Sequence, residues 1–173
     1  FYETDNHPKA LEYCFKSQEI FEHANNLEDL RKIFIRIGPI YSYQSNYKTA
    51  LSYYQKARGL LVAMNQDERQ GFFPIGSMYD NLDQNDSALF YYQRAYEYFS
   101  TKGNKASLAA VLSHLGTLNL KMKNYDLALT YGRMSVAAYE QYSQHLATSA
   151  YRHFADILNA LGQKDSALYY AEK

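Results

Sequence analysis

The sequence predicts an all-α fold, a right-handed solenoid of antiparallel helix pairs. A short tyrosine-rich segment centred on an alanine, such as "NYKTALSYYQKA", recurs five times in the 173 residues. The separations between its alanines are 40, 38, 40 and 39 residues, and the alanines are Ala10, Ala50, Ala88, Ala128 and Ala167. A period of this length is typical of two-helix repeats that stack along one axis.

A second recurring residue divides each repeat into two helices. Twelve residues before an alanine stands a small residue, namely Gly38, Gly76, Gly116 or, in the fourth copy, Ala155. The turns "YQSN", "LDQN", "KMKN" and "LGQK" lie between the two positions. We therefore expect a helix A around the first small residue and a helix B around the alanine. The Asn and Asp residues of the turns are suited to capping helix B.

The small residues predict where the paired helices cross, because two helices approach closely only where side chains are short. Tyrosines then fill the rest of a thin two-helix layer. The pattern assigns a partial repeat to residues 1–26, repeats to about 27–65, 66–103 and 104–143, and an incomplete repeat to 144–173. All belong to one solenoid. We expect its incomplete end repeats to expose apolar faces and to promote self-association.

Composition excludes several function classes. Lys and Arg together number 18, as do Asp and Glu, so no basic excess favours nucleic acid. No run approaches the roughly 20 apolar residues that a membrane span requires. The single cysteine, Cys14, excludes an internal disulfide. Neither a cytoplasmic nor a periplasmic location is favoured.

No catalytic, metal or cofactor site is predicted. Cys14 falls on the core side of a helix B, where a lone cysteine acts as a small hydrophobic residue. His114, His145 and His153 lack the spacing and the acidic company of a zinc site. No Gly-rich phosphate loop or nucleophile elbow occurs. We therefore expect a protein that is not an enzyme.

The repeats resemble the tetratricopeptide repeat, whose consensus has W-x2-L-G-x2-Y in helix A and A-x3-F in helix B. The first complete copy matches at Phe34, Ile37, Gly38, Tyr41, Ala50, Tyr54 and Ala57. The third copy departs from the pattern at Asn119 and Gly132. The period exceeds the usual 34 residues, as in the arrays of bacterial peptide-sensing regulators and kinesin light chains.

The resemblance implies that the A helices line a concave groove for a peptide or protein partner. Offsets from the small residue, together with residues that flank the positions so selected, give these candidate groove residues: Lys32, Arg36, Tyr43, Phe73, Ser77, Asp80, Asn81, Ser113, His114, Thr117, Lys121, Arg152, His153, Asp156 and Asn159. The same offsets also select Ile35, Pro39, Ser42, Gln70, Ala110, Leu120 and Ser149. The positions of the family's grip on a C-terminal carboxylate carry Ile35, Pro39, Pro74, Ala110 and His114, which argues against that mode.

Two prolines fall in predicted A helices. Pro39 follows Gly38 on the groove side, where a kink would leave the Ile35 carbonyl to water or a ligand. Pro74 either does the same, if its helix begins near Asp67, or lies in a first turn, where proline is inexpensive.

The sequence thus predicts a protein- or peptide-binding scaffold. The alternative is the sensory input domain of a bacterial signal-transduction or transcription regulator whose effector lies elsewhere. Lys121, Arg152 and His153 place positive charge towards the C-terminal half of the groove. An acidic partner segment is expected there, with Phe73 and Tyr43 offering apolar contact.

Overall fold

The computed structural model of the chain describes residues 7–142 and 147–173, and of Tyr142 only its backbone. His145 lies outside these residues. The described part contains no β-strand. Its α-helices are α1 (His7–His23), α2 (Leu27–Tyr43), α3 (Tyr47–Ala63), α4 (Phe72–Asn81), α5 (Asn85–Lys102), α6 (Lys105–Lys121), α7 (Tyr125–Tyr142), α8 (Ala147–Ala160) and α9 (Lys164–Ala171), with a 3-10 helix at Glu68–Gly71 before α4. The predicted all-α fold is confirmed.

The chain divides into two compact units, Phe1–Gln84 and Asn85–Lys173. In the first, which we call the N-terminal unit, consecutive helices pack pairwise from α1 to α4. In the second, the C-terminal unit, α6 packs on α5, α7 and α8, and α8 packs on α7 and α9. By the predicted pattern, α2, α4, α6 and α8 are A helices and the others are B helices.

A recurring turn ends the helices. One residue with a positive φ angle stands at each described junction between helices, for example Ser45 at 57° and Lys123 at 63°. After Ser45 and Lys123 the next N–H bonds to the carbonyl five residues earlier, from Asn46 to Tyr41 and from Asn124 to Asn119. This is the hydrogen bond of a Schellman turn, which satisfies carbonyl groups at a helix end.

The predicted capping of B helices holds in one turn but not in all. Asn46 caps α3 by accepting a hydrogen bond from the Thr49 N–H at 3.3 Å. Asn85, by contrast, is the first residue of α5, and its side-chain oxygen is buried without a hydrogen-bond partner among the described residues. Asn124 donates its side-chain amide to Asn119 instead.

The two prolines differ in position. Pro39 lies inside α2, four residues before its end, and therefore breaks the helical hydrogen-bond ladder as predicted. Pro74 lies in the first turn of α4, because that helix begins at Phe72 after the 3-10 turn. The structure thus decides between the two interpretations of Pro74 in favour of the inexpensive first-turn position.

Each unit has its own core. In the N-terminal unit, Leu30, Ile33, Phe34, Ile37 and Ala57 form a buried cluster, against which Cys14 packs half-buried. Burial raises the pKa of the Cys14 thiol. In the C-terminal unit, the core contains Ala128, Val136, Ala147, Ala150, Tyr151, Phe154, Ile157, Leu158 and Ala167.

Candidate functional site

A concave site, a cleft between helices, is present in the N-terminal unit. It lies between the A helices α2 and α4, with α3 as its floor, and its volume is about 160 Å³. It is lined by Arg31, Ile35, Tyr54, Ala57, Arg58, Leu61, Gln70, Gly71 and Pro74. The cleft thus joins an apolar interior to two arginines.

Tyr54 carries a hydroxyl group into this lining. Its ring packs against Gly38, where an added Cβ would lie 2.5 Å from the ring carbon Cζ. Gly38 therefore makes room for the Tyr54 ring. Tyr54 is 7% exposed, and no described group hydrogen-bonds its hydroxyl. Burial raises the pKa of this hydroxyl to about 12, so it keeps its proton and acts as a donor.

Both arginines of the cleft are held by glutamates that are not part of its lining. Arg31 donates from Nε and Nη2 to the Glu28 carboxylate, at 3.2 and 2.6 Å. Arg58 pairs with Glu68 at 3.0 Å, and its guanidinium lies 5.8 Å from the centre of the Phe72 ring. Charge-assisted bonds of this kind fix the direction of both guanidinium groups.

The corresponding place in the C-terminal unit is filled. Gly132 occupies the position of Tyr54, four residues after the helix B alanine, and Phe154 of α8 packs where an added Cβ would stand, 2.5 Å from Phe154 Cδ2. Ser113 and His153, which correspond to Ile35 and Pro74, are joined by a hydrogen bond between Oγ and Nδ1. At positions that line the cleft in the N-terminal unit, the described residues of this unit thus have a glycine packed by Phe154 and a Ser–His pair.

Two histidines meet beside this filled place. The rings of His114 and His153 are 6.2 Å apart, and Nδ1 of His114 hydrogen-bonds the Tyr92 hydroxyl at 3.2 Å. Burial lowers the pKa of His153, and this effect outweighs Asp156, which raises that pKa. His153 consequently carries less positive charge at neutral pH than the sequence suggested.

The remaining predicted groove residues lie on the expected A helices. Lys32 is exposed and pairs with Asp29 at 2.8 Å, and Tyr43 is 74% exposed and stacks on His7. On α4, Asn81 donates to the Ser77 carbonyl at 2.8 Å, while Phe73 and Asp80 are half-buried. Exposed residues are Arg36 on α2, Lys121 on α6, and Arg152, Asp156 and Asn159 on α8.

The structure brings only part of the predicted set together. Ser113, His114 and His153 form one polar cluster, and Thr117 donates to the His114 carbonyl at 3.1 Å. Ser113 is 5% exposed, so a partner does not reach it directly. None of the fifteen candidates lines the cleft of the N-terminal unit, although Ile35 and Gln70, which the same offsets selected, do.

Arg31, Tyr54 and Arg58 are polar residues of the cleft that sequence reasoning did not select for the groove. Tyr54 matched the core consensus and was therefore assigned to packing alone. A usable signal was present at Arg58, because the same position eight residues after the helix B alanine carries Tyr96 and Val136 in the next two copies. A cation at a position that is otherwise aromatic or aliphatic indicates a polar neighbour.

Other chemistry is sparse in the described part of the chain. There, no group of three or more His, Cys, Asp and Glu residues is placed to hold a metal ion. None of the described helices is both long and apolar enough to span a membrane.

Stacked A and B helices with a cleft between consecutive A helices define a helical-repeat scaffold. A family model described as tetratricopeptide repeat matches residues 72–101, and a second one matches residues 107–173. The chain belongs to the tetratricopeptide repeat family. No curated protein matches the sequence significantly.

Solved structures of the same architecture are similar over almost the whole chain. A Rap protein complexed with competence and sporulation factor superposes with a TM-score of 0.84 at 16% identity, over 98% of this chain and 48% of that one. Aspartyl phosphate phosphatase F from Bacillus subtilis gives 0.81 at 16% identity, over 95% and 45%.

A third similar structure is a signal transduction ATPase with numerous domains that has a tetratricopeptide repeat sensor, from Pyrococcus horikoshii. It gives a TM-score of 0.80 at 22% identity, over 99% of this chain and 28% of that one. The present chain thus spans less than half the length of each of these three proteins. At these identities the similarity establishes the fold.

Proposed function

We propose that this chain is a binding module that holds an extended segment of a partner protein on the face of its A helices, without a catalytic role of its own. The observation that carries the proposal is the cleft between α2 and α4. It has an apolar floor from α3 and opens between two consecutive A helices. Proteins of this family bind partners on the face of their A helices, and we propose the cleft as the specific binding place on that face.

The size of the cleft favours one side chain of a polypeptide over a metabolite. Small-molecule sites usually enclose about 300 to 1,000 Å³, whereas this cleft has about 160 Å³. A peptide gains affinity by inserting single side chains into such pockets while its backbone runs along the surface. Exposed polar groups near the cleft, such as Lys32, can contact the backbone.

The proposal is tested by selecting peptides from a random displayed library on the immobilised chain. We expect enriched peptides whose affinity falls at least about tenfold for Ile35→Trp, because the indole would fill the cleft from its rim. Lys48→Trp, on the exposed side of α3, is the matched control and should leave binding unchanged. Failure to enrich any peptide, or equal binding to both variants, would contradict the proposal.

The second candidate function is ligand sensing for a regulator. It is favoured by the similarity to the ATPase whose tetratricopeptide repeats are described as a sensor, and to the Rap protein bound to competence and sporulation factor. In that case, saturating peptide should change the activity or assembly of the full-length protein. If saturating peptide changed neither the activity nor the assembly of the full-length protein, sensing would be rejected and the scaffold function would be retained.

Nucleic acid is not part of the proposal. The 18 basic and 18 acidic residues balance over the chain, and phosphate neutralisation needs a local excess of cations. Binding of the chain to a labelled DNA or RNA duplex at low salt would contradict this exclusion.

A further inference from the structure

We propose that the cleft of the N-terminal unit binds a glutamate side chain within the partner segment, with its carboxylate placed between Arg31 and Arg58 and hydrogen-bonded by the Tyr54 hydroxyl. This inference rests on the proposed function and specifies its ligand. It commits to an internal glutamate, and a peptide C-terminus is treated as an outcome of the test.

The Tyr54 hydroxyl indicates that the ligand brings an acceptor. The side chain is more than nine-tenths buried and lines the cleft, whereas its hydroxyl oxygen still has access to solvent. A protonated phenol in the wall of the cleft can exchange that solvent for a carboxylate oxygen that enters the cleft.

The charges of the lining favour an anion. Arg31 and Arg58 are the charged residues of the cleft, and the lining contains no acidic side chain. Glu28 and Glu68 hold the guanidinium groups from outside. A guanidinium has five N–H donors, and the Glu28 carboxylate takes those on Nε and Nη2 of Arg31, which leaves donor capacity on Nη1.

The walls of the cleft favour glutamate over other carboxylates. Ile35, Ala57, Leu61 and Pro74 provide an apolar passage, which suits two methylene groups better than it suits a backbone. A C-terminal carboxylate is attached to a branched Cα carbon, which would have to enter the passage with it. An aliphatic side chain would fill the passage and leave the hydroxyl unpaired.

The experiment uses peptides selected on the wild-type chain, synthesised with an acetylated N-terminus and an amidated C-terminus. In each peptide, every Glu is replaced in turn by Gln, which keeps the shape and removes the charge. We expect one Glu→Gln replacement to lower affinity by about 10- to 100-fold, as is usual for hydrogen bonds to charged groups.

The chain variants locate that effect. Tyr54→Phe removes only the hydroxyl, and Arg31→Gln removes one cation; both should shrink the preference for Glu over Gln by about threefold or more. Lys48→Gln, at an exposed lysine of α3 outside the cleft lining, should leave the preference intact. Circular dichroism melting shows whether each variant remains folded.

Three results would overturn the inference. If Ile35→Trp weakened binding but no Glu→Gln replacement did, the peptide-binding function would be retained and the glutamate ligand would be rejected. Binding that requires a free C-terminus would assign the site to a terminal carboxylate. A Glu preference that persists in both Tyr54→Phe and Arg31→Gln would place the carboxylate outside this cleft.

Discussion

Tyr54 in the N-terminal unit and Gly132 in the C-terminal unit hold the same position, four residues after the alanine of helix B. In the first case the repeat provides its own aromatic ring, and the next A helix, α4, leaves an open cleft beside it. In the second case the ring is absent, and Phe154 from α8 packs against the glycine. The same consensus position therefore lies beside an open cleft in one repeat and beside a packed phenylalanine in the other.

The polar groups at the two places follow the same division. In the C-terminal unit, Ser113 of α6 and His153 of α8 are joined by a hydrogen bond, and buried Ser135 donates to the Ala109 carbonyl at 2.9 Å. In the N-terminal unit, the corresponding residues Ile35, Pro74 and Ala57 cannot form side-chain hydrogen bonds, and the Tyr54 hydroxyl stays unpaired within the described residues. The polar groups of the closed place thus bond to one another, whereas those of the open place face the cleft.

The largest expected effect comes from Phe154→Ala, which empties the closed place. Phe154 is 3% exposed in the core of the C-terminal unit, so its removal should lower the free energy of unfolding by about 3 to 5 kcal/mol. Urea unfolding followed by circular dichroism measures the loss. Phe90→Ala, at a residue that is 50% exposed, is the control and should change stability by less than about 0.5 kcal/mol. Similar losses for the two variants would refute the assigned packing.

Gly132→Ala should be the next most harmful change. The added methyl group would meet Phe154 at 2.5 Å, and overpacking of this kind costs about 1 to 3 kcal/mol. At Gly59 on α3 an added Cβ meets nothing within 4 Å, so Gly59→Ala should raise stability by up to about 1 kcal/mol. The comparison of thermal midpoints tests this, and a loss at Gly59 equal to that at Gly132 would contradict it.

Removal of one hydroxyl group should have opposite effects at two matched tyrosines. Tyr54→Phe removes an unpaired hydroxyl and should leave stability unchanged or raise it by about 1 kcal/mol. Tyr92 is the corresponding residue of α5, and its hydroxyl bonds His114 at 3.2 Å, so Tyr92→Phe should lose about 1 kcal/mol. Chemical denaturation of both variants measures the difference. A loss at Tyr54 as large as that at Tyr92 would show that the Tyr54 hydroxyl already has a partner.

The closed place should also be sensitive to acid. Burial lowers the pKa of His153 in the folded chain, so the unfolded chain binds its proton first as the pH falls below the usual histidine pKa of about 6.5. The stability that neutral His153 contributes is therefore lost as the pH falls through that range. His153→Gln should lose less stability than the wild type between about pH 7.5 and 5.5. Equal losses in the two chains would reject this assignment.

Much of the fold was predictable because it follows from the spacing of small residues along the sequence. The regular spacing of the glycines and alanines predicted the helices α2 to α9, and Asn46 was predicted as the N-cap of α3. The crossing points were only partly predictable. An added Cβ at Gly116 would lie 3.4 Å from the Ala128 carbonyl oxygen, as expected for a crossing, but Gly38 accommodates a ring from the same repeat. Which side chain fills a small residue's space depends on neighbours one or two helices away, and no local pattern records it.

The candidate site was less predictable for the same reason. Offsets from a family pattern place residues on the correct helix face, and they selected Ile35 and Gln70 of the cleft. They could not select Tyr54, because the family pattern assigns its ring to the core. The hydroxyl at the end of that ring reaches the cleft, and the pattern does not record this. Nor could they show that Nδ1 of His153 forms a hydrogen bond with Ser113, because this contact depends on how α6 and α8 pack against each other.

The most direct test of the open cleft is the affinity of one glutamate-containing, end-blocked peptide for three chains: the wild type, Tyr54→Phe and Arg152→Ala. Arg152 is exposed on α8, at the positive end of the groove that the sequence proposed for acidic partners. We predict that Tyr54→Phe weakens binding by about threefold to tenfold, whereas Arg152→Ala changes it by less than about twofold. The reverse result, with binding lost at Arg152 and unaffected at Tyr54, would contradict the account and transfer the binding site to the C-terminal unit.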